Sequence, residues 1–145
     1  MRAADQFHTG VVVPDLEAAL AELTALFGCE WCDEVRVDQP VRLPTGDTTV
    51  ELQFRYSRST PRREVIQQQP GTLWMPADSG LHHLGYWSDD VAADSAALEQ
   101  AGNVHEASGT GPDGSPTWAY HRSPTGPRIE LVSRALEPFL ALMWT

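Results

Sequence analysis

The sequence predicts an α+β domain made of two βαβββ modules, and three observations carry that prediction. The stretch His8-Thr-Gly-Val-Val-Val-Pro-Asp15-Leu16 recurs as His83-Leu-Gly-Tyr-Trp-Ser-Asp-Asp90-Val91, and Leu23 and Leu98 keep the same offset of 75 positions. Each copy opens as a strand and turns into a helix. Each is then followed by short strand-like runs separated by turn residues.

The elements follow in order. Phe7 to Val13 is apolar and β-branched, which suits a strand; Pro14 ends it and Asp15 is placed to cap a helix. Leu16, Leu20, Leu23 and Phe27 recur at helical spacing, and Gly28 supplies the stop. Glu34 to Leu43, Thr48 to Ser57 and Glu64 to Gln69 read as three further strands, divided by Pro44-Thr-Gly46 and Ser59-Thr-Pro61. These make a first module over about residues 5–70. In the second, about 80–135, Leu81 to Ser88 is the strand and Asp90 to Ala101 the helix, closed by Gly102. Val104 to Ala107, Thr117 to Arg122 and Arg128 to Ser133 are its remaining strands, with turns at Gly109 to Ser115 and Ser123-Pro-Thr-Gly126. Residues 70–80 link the halves. The tail, 136–145, is apolar and carries Pro138; a helical turn there would cover a sheet edge or form a dimer contact.

Composition narrows the function. At 145 residues with 41% hydrophobic and 21% charged residues, one domain can bury its own core and a soluble globular protein is expected. A formal charge of −10 repels nucleic acid and anionic membranes, so neither is an expected partner. All ten basic residues are arginine, which removes Schiff-base and lysine-base chemistry. No apolar run is long enough to span a membrane and the N-terminus has no signal-peptide pattern, so a cytoplasmic location is expected. Cys29 and Cys32 form a C-x-x-C pair without a second pair, and read as reduced, partly buried thiols.

Each module carries a histidine on its first strand and a glutamate on its last: His8 and Glu64, then His83 and Glu130. Two imidazoles and two carboxylates suit one divalent ion (zinc, nickel, cobalt, manganese or ferrous iron) and leave coordination positions open for substrate. Glu51, in Thr-Val-Glu-Leu, competes with Glu64, but choosing it leaves Glu64-Val-Ile as a strand without a module. His82 competes with His83, yet strand alternation and the register with His8 select His83.

With H-x-G at His8, E-V-I at Glu64, H-H-x-G at His82 to Gly85 and I-E-L-V around Glu130, the chain resembles the vicinal oxygen chelate superfamily. That superfamily includes glyoxalase I, methylmalonyl-CoA epimerase, extradiol dioxygenases and bleomycin resistance proteins. The resemblance covers nearly the whole chain. It implies paired βαβββ modules forming one cupped, open barrel-like mixed sheet, ligands on the first and fourth strands of each, and frequent homodimers, for which Phe139 to Trp144 offers an apolar patch.

It also implies chemistry: a metal-dependent lyase or isomerase in which the ion stabilises an enolate or enediolate while a carboxylate moves a proton beside a carbonyl. Glu130 is the expected base and Glu64 its counterpart. Two alternatives remain, a non-catalytic module that sequesters a drug or metabolite and an iron-dependent extradiol dioxygenase, against which the fourth ligand argues. For the substrate, Trp74, Trp87 and Tyr120 are expected to line an apolar pocket, with Tyr120 or His121 reaching in as a general acid or base. Arg55, clustered with Arg58, Arg62 and Arg63, is the expected contact for an anionic group on a small-molecule substrate.

Overall fold

The repeat is visible in the chain trace of the computed structural model, which describes residues 1–145. The first module runs β1 (Gln6–Val13), α1 (Leu16–Phe27), β2 (Val35–Leu43), β3 (Gly46–Tyr56) and β4 (Arg63–Gln67). The second runs β5 (His83–Ser88), α2 (Val91–Gln100), β6 (Val104–Thr110), β7 (Pro116–Arg122) and β8 (Arg128–Ser133), and α3 (Glu137–Trp144) follows. The two long helices start alike. Asp15 accepts a hydrogen bond from the Ala18 amide at 3.0 Å, and Asp90 one from Ala93 at 3.0 Å; each such cap contributes about 1 kcal/mol. Gly28 ends α1 in the left-handed region, at φ 65°.

The strands close into a barrel in the order β1-β4-β3-β2-β6-β7-β8-β5. Within each module the first and last strands are parallel, and β1 and β5 meet antiparallel at the centre. The expected open cup is therefore shut along a seam between β2 and β6, where Arg42 pairs with Ser108. β6 reaches that seam because it extends to Thr110, beyond the Ala107 that the sequence suggested.

Alternation along the strands separates two environments. Val65 on β4 faces outward to Leu16 and Leu20 of α1, and Leu131 on β8 faces outward to Val91 and Leu98 of α2. Their neighbours Glu64, Ile66, Glu130 and Val132 must then face inward, into the barrel. The inner core contains Val12, Val41, Leu52, Ile66, Trp74 and Tyr120. Trp74 comes from the linker, so residues 70–80 do more than join the halves: they drive a fully buried indole against Trp118 and Tyr120.

The C-terminal segment crosses the mouth of the barrel. A closed barrel has no edge for it to cover, and Leu136, Leu140 and Met143 turn toward the interior instead. Trp144 packs near Phe7, Tyr56 and Trp87, with the Arg62 guanidinium 3.8 Å above its ring. Phe139 and Leu142 stay 69% and 75% exposed, and no residue of α3 is fully buried. At its base Arg134 binds Asp5 at 2.7 Å, Asp89 at 2.6 Å and Glu137 at 3.5 Å. No helix is long and apolar enough to cross a membrane.

Arg2 and Arg134 together hold the Asp5 carboxyl down to about 2. A depressed carboxyl stabilises the fold above its ordinary value of 3.8, and that contribution disappears as the pH falls through about 2. Thermal unfolding should therefore show Asp5→Asn less stable than wild type near neutral pH, with the gap closing in acid. A gap independent of pH would exclude the ion pair as its cause.

Candidate metal centre

His8, Glu64, His83 and Glu130 are all buried, and one donor atom from each lies within 4.8 Å of all the others. The two Nε2 atoms are 3.0 Å apart. Glu64 Oε2 lies 3.4 Å from His8 Nε2 and 3.2 Å from His83 Nε2; Glu130 Oε2 lies 3.1 and 3.2 Å from the same atoms. Donors bound at about 2.1 Å to one ion sit about 3.0 Å apart at right angles and about 3.4 Å apart at tetrahedral angles. The measured separations fall in that range, so the four groups fit a single divalent ion. Glu130 Oε2 is close to both imidazoles yet lacks the alignment of a hydrogen bond to either, which leaves a buried oxygen without a partner. Glu51, by contrast, sits exposed on β3 opposite Asp38 and takes no part.

The convergence depends on two glycines. Across the β1–β5 pair His8 stands opposite Gly85, and Gly10 opposite His83. A β-carbon on Gly10 would overlap the His83 ring, and one on Gly85 the His8 ring. Each imidazole thus occupies the space that the other strand leaves free of side chain. The register extends the symmetry: Gly10 pairs with Glu64, Gly85 with Glu130, Tyr56 with Glu64 and Tyr120 with Glu130. Tyr56 lies edge-to-face with His8, and Tyr120 with His83.

The charges are arranged to balance. Burial opposes a proton on His8, but the Glu130 and Glu64 carboxylates beside it prevail and raise it to about 9. His83 is raised for the same reasons. Burial also resists ionisation of Glu64 and Glu130, and the two imidazoles overcome it and hold both carboxyls below their usual range. A divalent ion at these donors would therefore compete with protons for the imidazole nitrogens. Burial and the carboxylates raise Tyr56 and Tyr120, which stay protonated at neutral pH.

His82 supports this centre from behind. Its Nε2 is 2.8 Å from the Leu73 carbonyl, which only accepts, so Nε2 carries the proton. Burial lowers His82 to about 4 and keeps it neutral, so its Nδ1 accepts from His83 Nδ1 at 2.9 Å. That bond leaves the His83 Nε2 lone pair facing the other donors. His8 has no equivalent, since its Nδ1 is buried without a partner.

A cavity of about 320 Å³ opens onto Glu64 and Glu130, and Tyr56, Trp74, Trp118 and Tyr120 lie in its wall. Trp74 and Tyr120 thus border the cavity, and His121, Trp87 and Arg55 do not. His121 follows Tyr120 on β7 and faces the opposite way, with its Nε2 2.8 Å from Ser95 Oγ on α2. Trp87 stacks on Phe7 at 3.8 Å between centroids, close to Trp144, and does not line the cavity. Arg55 falls between Phe54 and Tyr56, which both face inward, so alternation turns it out. Arg62 is engaged by the Ser57 carbonyl and Trp144, and Arg63 by Cys29 and Phe27. Both cysteines are buried and free. Tyr56, His82 and the glycine pair escaped the sequence reading. Of these only the glycines left a signal there, because both H-x-G copies carry one.

The model of the glyoxalase/bleomycin resistance protein/dioxygenase superfamily matches residues 7–120. An uncharacterized protein of Bacillus subtilis, YwbC, is 27% identical over 129 residues, covering 88% of this chain and 95% of that one. Among solved structures, a methylmalonyl-CoA epimerase of Streptomyces coelicolor in complex with 2-nitronate-propionyl-CoA is 21% identical at a TM-score of 0.59, covering 90% of this chain and 97% of that chain. The methylmalonyl-CoA epimerase from Mycobacterium tuberculosis is 18% identical at a TM-score of 0.55, covering 98% and 97%. A variant of 4-hydroxymandelate synthase from Streptomyces coelicolor is 18% identical at 0.56, covering 89% of this chain and 38% of that one. At these identities the structures show a shared fold.

Two outcomes follow from the geometry. Gly85→Ala should displace His8 and weaken metal binding by at least about tenfold, a cost of about 1.4 kcal/mol, measurable by chelator competition; wild-type affinity would remove the steric argument. Because His8 titrates at about 9, metal affinity should fall as the pH drops below that value, as protons compete for the imidazoles. Calorimetry in buffers of different ionisation enthalpy should show protons released on metal binding near neutral pH, and no release would contradict that competition.

Proposed function

This chain belongs to the glyoxalase/bleomycin resistance protein/dioxygenase superfamily, and from that premise we propose that it is a metal-dependent lyase or isomerase that moves a proton next to a carbonyl. His8, Glu64, His83 and Glu130 are its ligands for one divalent ion. The observation that supports this reading best is the meeting of four buried donors at one end of an apolar cavity.

A divalent ion there supplies Lewis acidity to a substrate oxygen, lowering the cost of negative charge on it. Proton transfer falls to the protein. Glu130 borders the cavity and is the base. While it leans on two imidazoles its proton affinity is low, so it acts by swinging away from them toward the substrate. Glu64 occupies the equivalent position across the pseudo-two-fold and returns a proton from the other side. Tyr56 and Tyr120, neutral at working pH, donate hydrogen bonds to substrate oxygens. The apolar wall and α3 keep water from competing for the proton.

A second reading, sequestration of a small molecule without turnover, draws on the way α3 lies over the cavity. The two readings separate on Glu130. With the ion present, wild type should catalyse deuterium exchange at the carbon beside the carbonyl of a small α-hydroxyketone, followed by NMR, and Glu130→Gln should be at least about 100-fold slower. Elemental analysis of both proteins controls for metal loss. A metal-retaining variant that exchanges at the wild-type rate, or a wild type that takes up no metal, would overturn the enzymatic reading.

A further inference from the structure

We infer that the molecule this site takes is small and mostly apolar, with one oxygen-bearing end against the four donors and no acidic group along its body. The inference rests on the metal-dependent reading only for which end faces the donors.

Of the 17 residues lining the cavity 14 are hydrophobic, and the other three are Glu64, Glu130 and Gln39. No cation is among them. The chain has no lysine, and none of its arginines is in the wall: Arg128 binds Glu106, Arg134 binds Asp5 and Asp89, Arg62 donates to the Ser57 carbonyl and Arg63 to Cys29. A carboxylate or phosphate along the apolar body of the cavity would lose its hydration and find no cation in the wall, an uncompensated burial.

The shape limits size as well. About 320 Å³ is at the small end of ligand pockets. Strand register gives the cavity direction: Tyr56 pairs beside Glu64, Phe54 opposite Val35, Leu52 opposite Val37, and Val50 opposite Gln39. From the Glu64 end to Gln39 the wall is apolar for six residues of β3, roughly 20 Å of strand. Gln39 is the one neutral polar side chain, at the far end. Leu136, Leu140 and Met143 of the C-terminal segment repeat at helical spacing along one face and complete the wall.

The test uses matched ligands on the full-length protein. Hexanohydroxamic acid offers a chelating head and an uncharged tail; adipic monohydroxamic acid adds only a carboxylate at the tail's end. With zinc-loaded protein, calorimetry should show the first binding at least about tenfold tighter. Leu140→Arg, on a helix without a buried residue, should abolish or reverse that preference. The same tail comparison without a chelating head, hexan-1-ol against 6-hydroxyhexanoate, is run on metal-free protein by quenching of tryptophan fluorescence. Equal or tighter binding of the acidic member in either pair would overturn the inference. Failure of the protein to take up zinc, with hexan-1-ol still preferred, would count against the metal-dependent reading and leave the substrate class standing.

Discussion

The close antiparallel contact of β1 and β5 is the constraint from which the rest of this structure follows. At the crossing, each histidine ring lies over the glycine of the opposite strand, so two imidazole nitrogens come within 3.0 Å. Any side chain at Gly10 or Gly85 would push the strands apart or turn a ring away. With the rings in place, the parallel pairings β1–β4 and β5–β8 carry Glu64 and Glu130 to the same point. The helices secure that placement from outside, because Val65 and Leu131 anchor to α1 and α2 and so force the preceding glutamates inward.

Bringing four ionisable groups together in a nonpolar interior is costly unless their charges cancel. Here the two imidazoles and two carboxylates offset one another, and a divalent ion at the centre would offset the carboxylates in the same way. His82 adds a directional element by fixing which nitrogen of His83 faces the centre. The asymmetry between His83, supported in this way, and His8, whose second nitrogen has no partner, distinguishes two modules that are otherwise near copies.

The surface and the interior obey different rules. The chain carries a formal charge of −10, and apart from Asp5, Glu64 and Glu130 its acidic residues are exposed or half-buried. The cavity is nearly uncharged, and its wall is completed by a C-terminal helix held at its base by Arg134 and at its tip by Trp144. Recognition inside it rests on shape, apolar contact and the oxygen chemistry of one end.

What the amino-acid order determined by itself was everything that repeats. The 75-residue offset, the strand-to-helix switch at Asp15 and Asp90, and the order His, Glu, His, Glu were readable because local propensity and duplication leave a trace along the chain. The fold class and the identity of the four converging residues came from that trace. The tertiary structure decided what depends on facing and closure. Whether Tyr120 or His121 entered the cavity, where Arg55 and Trp87 pointed, that the cup closed through β2 and β6, and that the tail became part of the wall could not be read from spacing. Those outcomes turn on which strand neighbours which and on a one-residue phase, and a one-residue phase reverses the face of every side chain on a strand.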